Sequence, residues 1–280
     1  MKLILPLLIL LLSACSQEIR TIKIKGSDTE VNLVTELAES FHETDKSCYL
    51  SISGGGSGLG IASLLNGQAD IANSSRELNS EETELFKKRG IELDTFVFAE
   101  DAIAFVVSPS LPLDSVTTET LARILDGTLT NWESLTGQKQ HINIYGRQSN
   151  SGTYDFVKEK LKIQFSREAK EMNGNAQILE AIKADPSGIG YVGAGYVLND
   201  RNGRSRNIKV LSVSQDKNSP AYSPLDSNAV FLHKYYFRRH LFQFIRKNSA
   251  AVAAPFIDFE KSTTGAGIIR RSGYYPVKIF

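Results

Sequence analysis

Residues 49–72 read YLSISGGGSGLGIASLLNGQADIA. Residues 49–53 predict a strand, Ile61, Leu64 and Leu65 recur on one face of a helix, and Asp70-Ile71-Ala72 returns as a strand. Between the first strand and the helix lie five glycines in seven residues, 54–60. Glycine costs backbone entropy at each position, so a plain turn would not need so many. Strand, glycine turn, helix and strand make an α/β unit. Its helix start offers unpaired N–H groups, a partial positive charge, the Ser57 hydroxyl and room for a ligand to reach the backbone.

The same order recurs on both sides of this stretch. Residues 21–25 alternate as a strand, Gly26-Ser27-Asp28-Thr29 turns, and Val31, Val34, Leu37, Ala38 and Phe41 follow at helical spacing. Residues 142–145 form a strand that leads into Arg147, then Ser151-Gly152-Thr153 and a helix over 153–161. Three such starts with Arg147 nearby point to a small oxyanion held between them. Ser27-Asp28-Thr29-Glu30 also fits a capping box, with Ser27 as N-cap and Glu30 at N3. The charge of Glu30 would repel an anion unless its side chain turns away. Asn73-Ser74-Ser75-Arg76 follows a strand end, where α/β ligand sites gather, although a capped turn would explain it equally.

The remainder keeps the α/β alternation, and the length indicates two domains. Residues 96–98 and 103–107 read as consecutive buried strands ended by Pro109 and Pro112. Helices are expected over 117–125 and 176–184, and a strand over 188–192. Residues 216–227 read as a linker, followed by a helix over 234–247 and a glycine-punctuated tail.

At the N-terminus, Lys2 precedes an apolar run over 3–12 and then Ser13-Ala14-Cys15. A run of about ten residues is too short to span a bilayer core of roughly 30 Å, so it reads as an export signal. Leu12-Ser13-Ala14-Cys15 resembles the lipobox of bacterial lipoproteins, which implies lipidation at Cys15; the alternative is an ordinary secretory signal. With Cys15 consumed, Cys48 is the single remaining thiol, no internal disulfide is possible, and Cys48 is expected in the core. Removing the segment takes Lys2 with it and leaves basic and acidic residues equal in number. Nucleic-acid binding by bulk charge loses its support.

Other site chemistries fit poorly. The glycine run is out of register for G-x-G-x-x-G, no G-K-[ST] follows, and no G-x-S-x-G elbow is present. His42, His141, His233 and His240 lack carboxylates at ligand spacing, so neither a metal nor another cofactor is implied.

The stretches KGSDT (25–29), SGGGSGLGIASLLNGQADIANSSREL (53–78), EDAIAFVV (100–107), ILDGTLTNW (124–132) and RQSNSGT (147–153) resemble the phosphate-binding lipoprotein of the phosphate ABC importer, the PstS family. GIGYVG (188–193) and SGYYPV (272–277) continue the resemblance. It implies a type II periplasmic-binding-protein fold, two α/β lobes joined by two hinge strands with the ligand in the cleft. Lobe one would take residues 16–104 and 230–280 and lobe two 105–229, with crossings at 99–104 and 220–231. The family pattern implies phosphate contacts from Thr29 and Glu30, or from Ser27, then from Ser57, and from Arg147, Ser151, Gly152 and Thr153. Ser75, followed by Arg76, is also placed in the site by the resemblance, at the position where well-known members carry an Asp that accepts the ligand's proton. Ser75 occupies that place here, so Asp28 or Asp101 would have to act as acceptor, or Ser75 would accept weakly. The implied protein is not an enzyme but a monomeric solute-binding lipoprotein of the cell envelope. Its partners would be inorganic phosphate, ABC-transporter permease subunits and the membrane. Sulfate, molybdate or tungstate binding, a phosphoester hydrolase or an adhesin on the same scaffold remain alternatives.

Overall fold

The computed structural model describes residues 20–198 and 207–277. The export segment, Cys15 and residues 16–19 lie outside the described residues. Among the described residues no helix is long and apolar enough to cross a membrane.

The chain opens with β1 (Arg20–Gly26), α1 (Val31–Thr44), β2 (Cys48–Ser53), α2 (Ser57–Leu65), β3 (Ile71–Ser74), α3 (Ser80–Lys88) and the long β4 (Leu93–Val107). The middle holds β5 (Ser115–Thr117), α4 (Thr118–Leu125), α5 (Glu133–Thr136), β6 (Asn143–Arg147), α6 (Gly152–Leu161), β7 (Lys170–Met172), α7 (Asn175–Ala184), β8 (Gly188–Gly193), α8 (Ala194–Leu198), β9 (Lys209–Val210), β10 (Ser212–Ser214) and α9 (Ser227–Phe231). It closes with β11 (Arg238–Arg246), α10 (Ala250–Lys261), α11 (Thr263–Arg271) and β12 (Tyr275–Pro276).

One sheet path runs β2-β1-β3-β11-β4-β8-β6-β7. In the first lobe β1 is parallel to β2 and β3, and β11 runs antiparallel between β3 and β4. Apolar side chains cover both faces of this sheet. Ile24, Leu37, Phe41, Leu241, Phe256 and Ile268 pack on one side, and Ile61, Leu64, Phe86, Phe242 and Phe244 on the other. The second lobe builds its core from Phe105, Leu121, Trp132, Ile178, Tyr191 and Phe237 among others. Cys48 is buried and free, at the edge of the first core.

Four local expectations change. Ser27 does not cap α1, whose N-cap is Glu30 without a side-chain cap. The carboxylate of Asp28 and the hydroxyl of Thr29 are engaged across the cleft instead, and the chain turns there, with Glu30 N donating to Ser27 O at 3.2 Å. The two strands expected at 96–98 and 103–107 are one, because Ala99, Asp101 and Ala102 keep pairing with β11. Residues 234–247 are mostly β11 rather than helix. Phe242 and Phe244 enter one apolar cluster and Leu241 and Ile245 the other, and a strand buried on both faces gives apolar spacing that a helix template also matches. The tail is two helices, α10 and α11, packed on α1.

Residues 216–227 are no free linker, because Tyr222 and Val213 exchange backbone hydrogen bonds at 2.8 and 3.0 Å and Leu225 packs on the second core. The crossing expected at 220–231 is displaced with it, since Val230 is fully buried in that core. The first crossing lies on β4, which pairs with β11 up to Ala102 and with β8 from Ile103. The second lies at Phe237 and Arg238, where Ile103 N donates to Phe237 O at 2.8 Å.

Candidate functional site

The turns after β1, β2 and β6 and the end of β3 meet at the base of the cleft. Gly56, at the N-cap of α2, has φ of 97°, and a Cβ there would stand 2.8 Å from the Asn150 carbonyl. Only glycine suits both demands. The two lobes close on each other at this turn: Gly58 N donates to Asn150 O at 3.0 Å, and Asn150 Nδ2 donates to Gly55 O at 3.0 Å. Deeper in, a Cβ on Gly152 would collide with Ser57 Oγ and come within 2.6 Å of Ser75 Oγ. The first turn of α6 therefore faces both serines.

The hydroxyls converge at this depth. Thr29 Oγ1 lies 3.1 Å from Thr153 Oγ1, and Ser57 Oγ lies 3.4 Å from Ser75 Oγ while accepting from Ser75 N at 3.1 Å. Ser151 caps α6, accepting from Thr153 N at 3.2 Å. Thr29, Ser57, Ser75, Ser151 and Thr153 are all buried. Tyr196 donates to Asp28 O at 2.5 Å and Tyr274 to Thr29 O at 2.6 Å, which pins the first turn. Burial pushes both phenols above their usual range and keeps them protonated donors.

Arg147 is buried at the end of β6 and reaches across the cleft. Its Nη2 pairs with Asp28 Oδ2 and donates to Asn173 O at 3.1 Å, while its Nε is buried without a partner among the described residues. That spare donor belongs to the group that sequence reading placed on the anion. The structure thus brings Thr29, Ser57, Ser75, Arg147, Ser151, Gly152 and Thr153 to one place.

Other expected residues stand differently. Asp28 is no free proton acceptor, since Gly55 N holds Oδ1 at 2.9 Å and Arg147 holds Oδ2. Arg76 turns to carboxylates: its guanidinium pairs with Glu82 at 2.7 and 2.8 Å and with Asp155 at 2.8 Å. Glu30 is fully buried, and burial raises its pKa well above the ordinary range, which disfavours the charged form and so weakens the expected repulsion. Its N–H donates to Ser27 O, and Ser27 itself is tied to β3 through Asn73 O at 3.0 Å. Asp101 is fully buried; burial raises its pKa and the neighbouring Arg239 opposes that shift.

Arg239 is the residue that sequence reading missed. It sits on β11 directly opposite Asp101 on β4. Its Nε and Nη2 lie 3.2 and 3.0 Å from Asp101 Oδ2, and Nη2 also donates to Thr29 Oγ1 and Thr153 Oγ1, both at 3.1 Å. An arginine inside the apolar run 235–245 was the available signal, because arginine is rarely fully buried unless it is paired.

A model of the PBP superfamily domain matches residues 13–260. The phosphate-binding protein PstS of Borreliella burgdorferi is 30% identical over 269 residues, covering 92% of this chain and 91% of that protein. This chain belongs to the PstS family. Among solved structures, an ABC-type phosphate transport receptor from Vibrio cholerae is 25% identical with a TM-score of 0.70, covering 91% of this chain and all of that one. A phosphate ABC transporter substrate-binding protein of Clostridium perfringens, solved with bound phosphate, superposes with a TM-score of 0.80 at 23% identity, over 92% of this chain and 100% of that chain. The fold is accordingly the two-lobed α/β fold of the binding proteins.

Proposed function

We propose that this PstS-family chain captures inorganic phosphate in its interlobe cleft and delivers it to the permease subunits of an ABC transporter. The observation that carries the reading is the meeting of the Thr29, Ser57, Ser75 and Thr153 hydroxyls with the first turn of α6 and the spare Nε of Arg147. A charge-assisted hydrogen bond contributes about 1.5–3 kcal/mol, and micromolar affinity requires about 8 kcal/mol, so such a set suffices after desolvation and closure costs. Arg147 clamps the anion, the hydroxyls and helix amides complete the shell, and closure excludes water.

The histidines lie elsewhere: His42 faces the Cys48 carbonyl and His240 pairs with Glu100. The reading is therefore capture without turnover. We place the protein outside the cytoplasm as a monomer, held to the membrane by lipid on Cys15. Cys15→Ser would release it into the soluble fraction. Calorimetric titration of the purified chain, stripped of bound anion, with phosphate tests the function; absence of heat would remove it.

A further inference from the structure

We propose that Arg239 is a second guanidinium of the anion seat, and that the seat therefore recognises a tetrahedral dianion by donors alone, without reading whether the ligand carries a proton. The proposal rests on the phosphate reading of this site and names its selectivity.

Arg239 has the placement of a ligand rather than of a structural cation. It is buried at the junction of both crossings, and its Nη2 reaches one hydroxyl from each lobe, Thr29 and Thr153, at 3.1 Å. Those two hydroxyls are themselves 3.1 Å apart, so the guanidinium edge and both threonines face one point. Asp101 holds the guanidinium from behind, and the Phe156 ring lies 5.5 Å from its Cζ. A guanidinium fixed in this way meets an oxyanion with little loss of freedom.

The two carboxylates nearest the seat each face one of its guanidinium groups. Asp28 gives one oxygen to Gly55 N and the other to Arg147. Asp101 gives Oδ2 to Arg239, and its buried Oδ1 has no hydrogen-bond partner among the described residues. Burial raises the pKa of the Glu30 carboxyl well above its ordinary range. At the place of the family's acceptor carboxylate stands Ser75, whose hydroxyl lies against that of Ser57. A carboxylate acceptor would reject an anion that has no proton to give, through an unpaired buried acceptor and like-charge repulsion. Hydroxyls exert no such rejection, because they rotate to donate instead. Each guanidinium is balanced by one carboxylate, so recognition depends on aimed donors and tetrahedral shape.

The test titrates the purified, anion-stripped chain with inorganic phosphate and with sulfate. Both anions are expected to bind, sulfate within about tenfold of phosphate. Arg239→Lys keeps a charge beside Asp101 but cannot span both threonines, and should weaken both anions at least about tenfold. The double variant Asp101→Asn/Arg239→Gln replaces the ion pair by a neutral hydrogen-bonded pair; it should weaken both further while melting in one cooperative step. Ser75→Asp should weaken sulfate at least about tenfold more than phosphate. Tight phosphate binding with no sulfate heat would overturn the donor-only seat and leave phosphate capture standing. Unchanged affinities in folded Arg239 variants would reduce Arg239 to a structural cation, and no heat with either anion would remove the underlying reading as well.

Discussion

Arg76 and Asp155 join the two lobes: Arg76 Nε, after β3, lies 2.8 Å from Asp155 Oδ2 on α6. Glu82, which also closes the capping box of α3, holds the guanidinium from the other side at 2.7 Å. This tie exists only when the cleft is shut, so it adds to closure energy without touching the ligand.

Asp155→Asn should therefore weaken phosphate and any competing anion by the same factor. A partly buried pair contributes on the order of 1 kcal/mol, about fivefold in affinity. Stopped-flow dissociation should be faster by a similar factor, with the phosphate-to-sulfate ratio unchanged; a changed ratio would put Asp155 in the site itself.

Arg147→Ala should cost at least about tenfold in phosphate affinity, because it removes a charge-assisted donor and leaves Asp28 partly buried and unpaired beside the anion. The far-ultraviolet circular dichroism spectrum should not change. Equal affinity by calorimetry would take Arg147 out of the seat.

Gly152→Ala should act on closure. Its Cβ would collide with Ser57 Oγ only when the lobes meet, while alanine suits the first turn of α6 at least as well as glycine. Phosphate binding should fall by about a hundredfold or more, beyond the loss of one donor. The ligand-free protein should melt as before, and scattering with phosphate present should show a larger radius of gyration than wild type.

Stability should decline as pH rises. Burial pushes the Glu260 carboxyl up to about 8, opposed by the Gln243 amide that donates to it at 3.0 Å. The folded state then binds more protons than the unfolded chain between about 4.5 and about 8, so unfolding free energy falls across that window. Glu260→Gln should flatten the fall in melting temperature between about pH 5 and about pH 9; an unchanged slope would assign it to other groups such as Glu30.

Local features were legible in the sequence. Glycine density at 54–60, the Ser-Gly-Thr start of α6 and Arg147 before it each report a demand met within a few residues. Arg239 was not legible, because its role comes from pairing β11 with β4, more than a hundred residues away in the chain. β11 itself was obscured for the same reason: flanked by β3 and β4 and covered on both faces, it lost the alternation that marks a half-exposed strand. The partners of Arg76 were not legible either, because Glu82 and Asp155, which pair with it, are brought to it only by folding. The turn at Ser27 looked like a cap because its residue types suit one, whereas Asp28 and Thr29 are engaged across the cleft and Ser27 N pairs with Asn73 O of β3.

The two crossings lie side by side, joined at Ile103 and Phe237. They make one narrow ribbon, so opening can only swing the lobes about a single short axis. Arg239, on β11 two residues from Phe237, sits beside that axis and travels little, whereas the contacts of Gly56 and Gly58 with Asn150 across the cleft must part. Water then enters from the rim inward, and the bonds nearest the ribbon are the last to release the anion. A permease that pries the outer edges apart gains the full length of the lever.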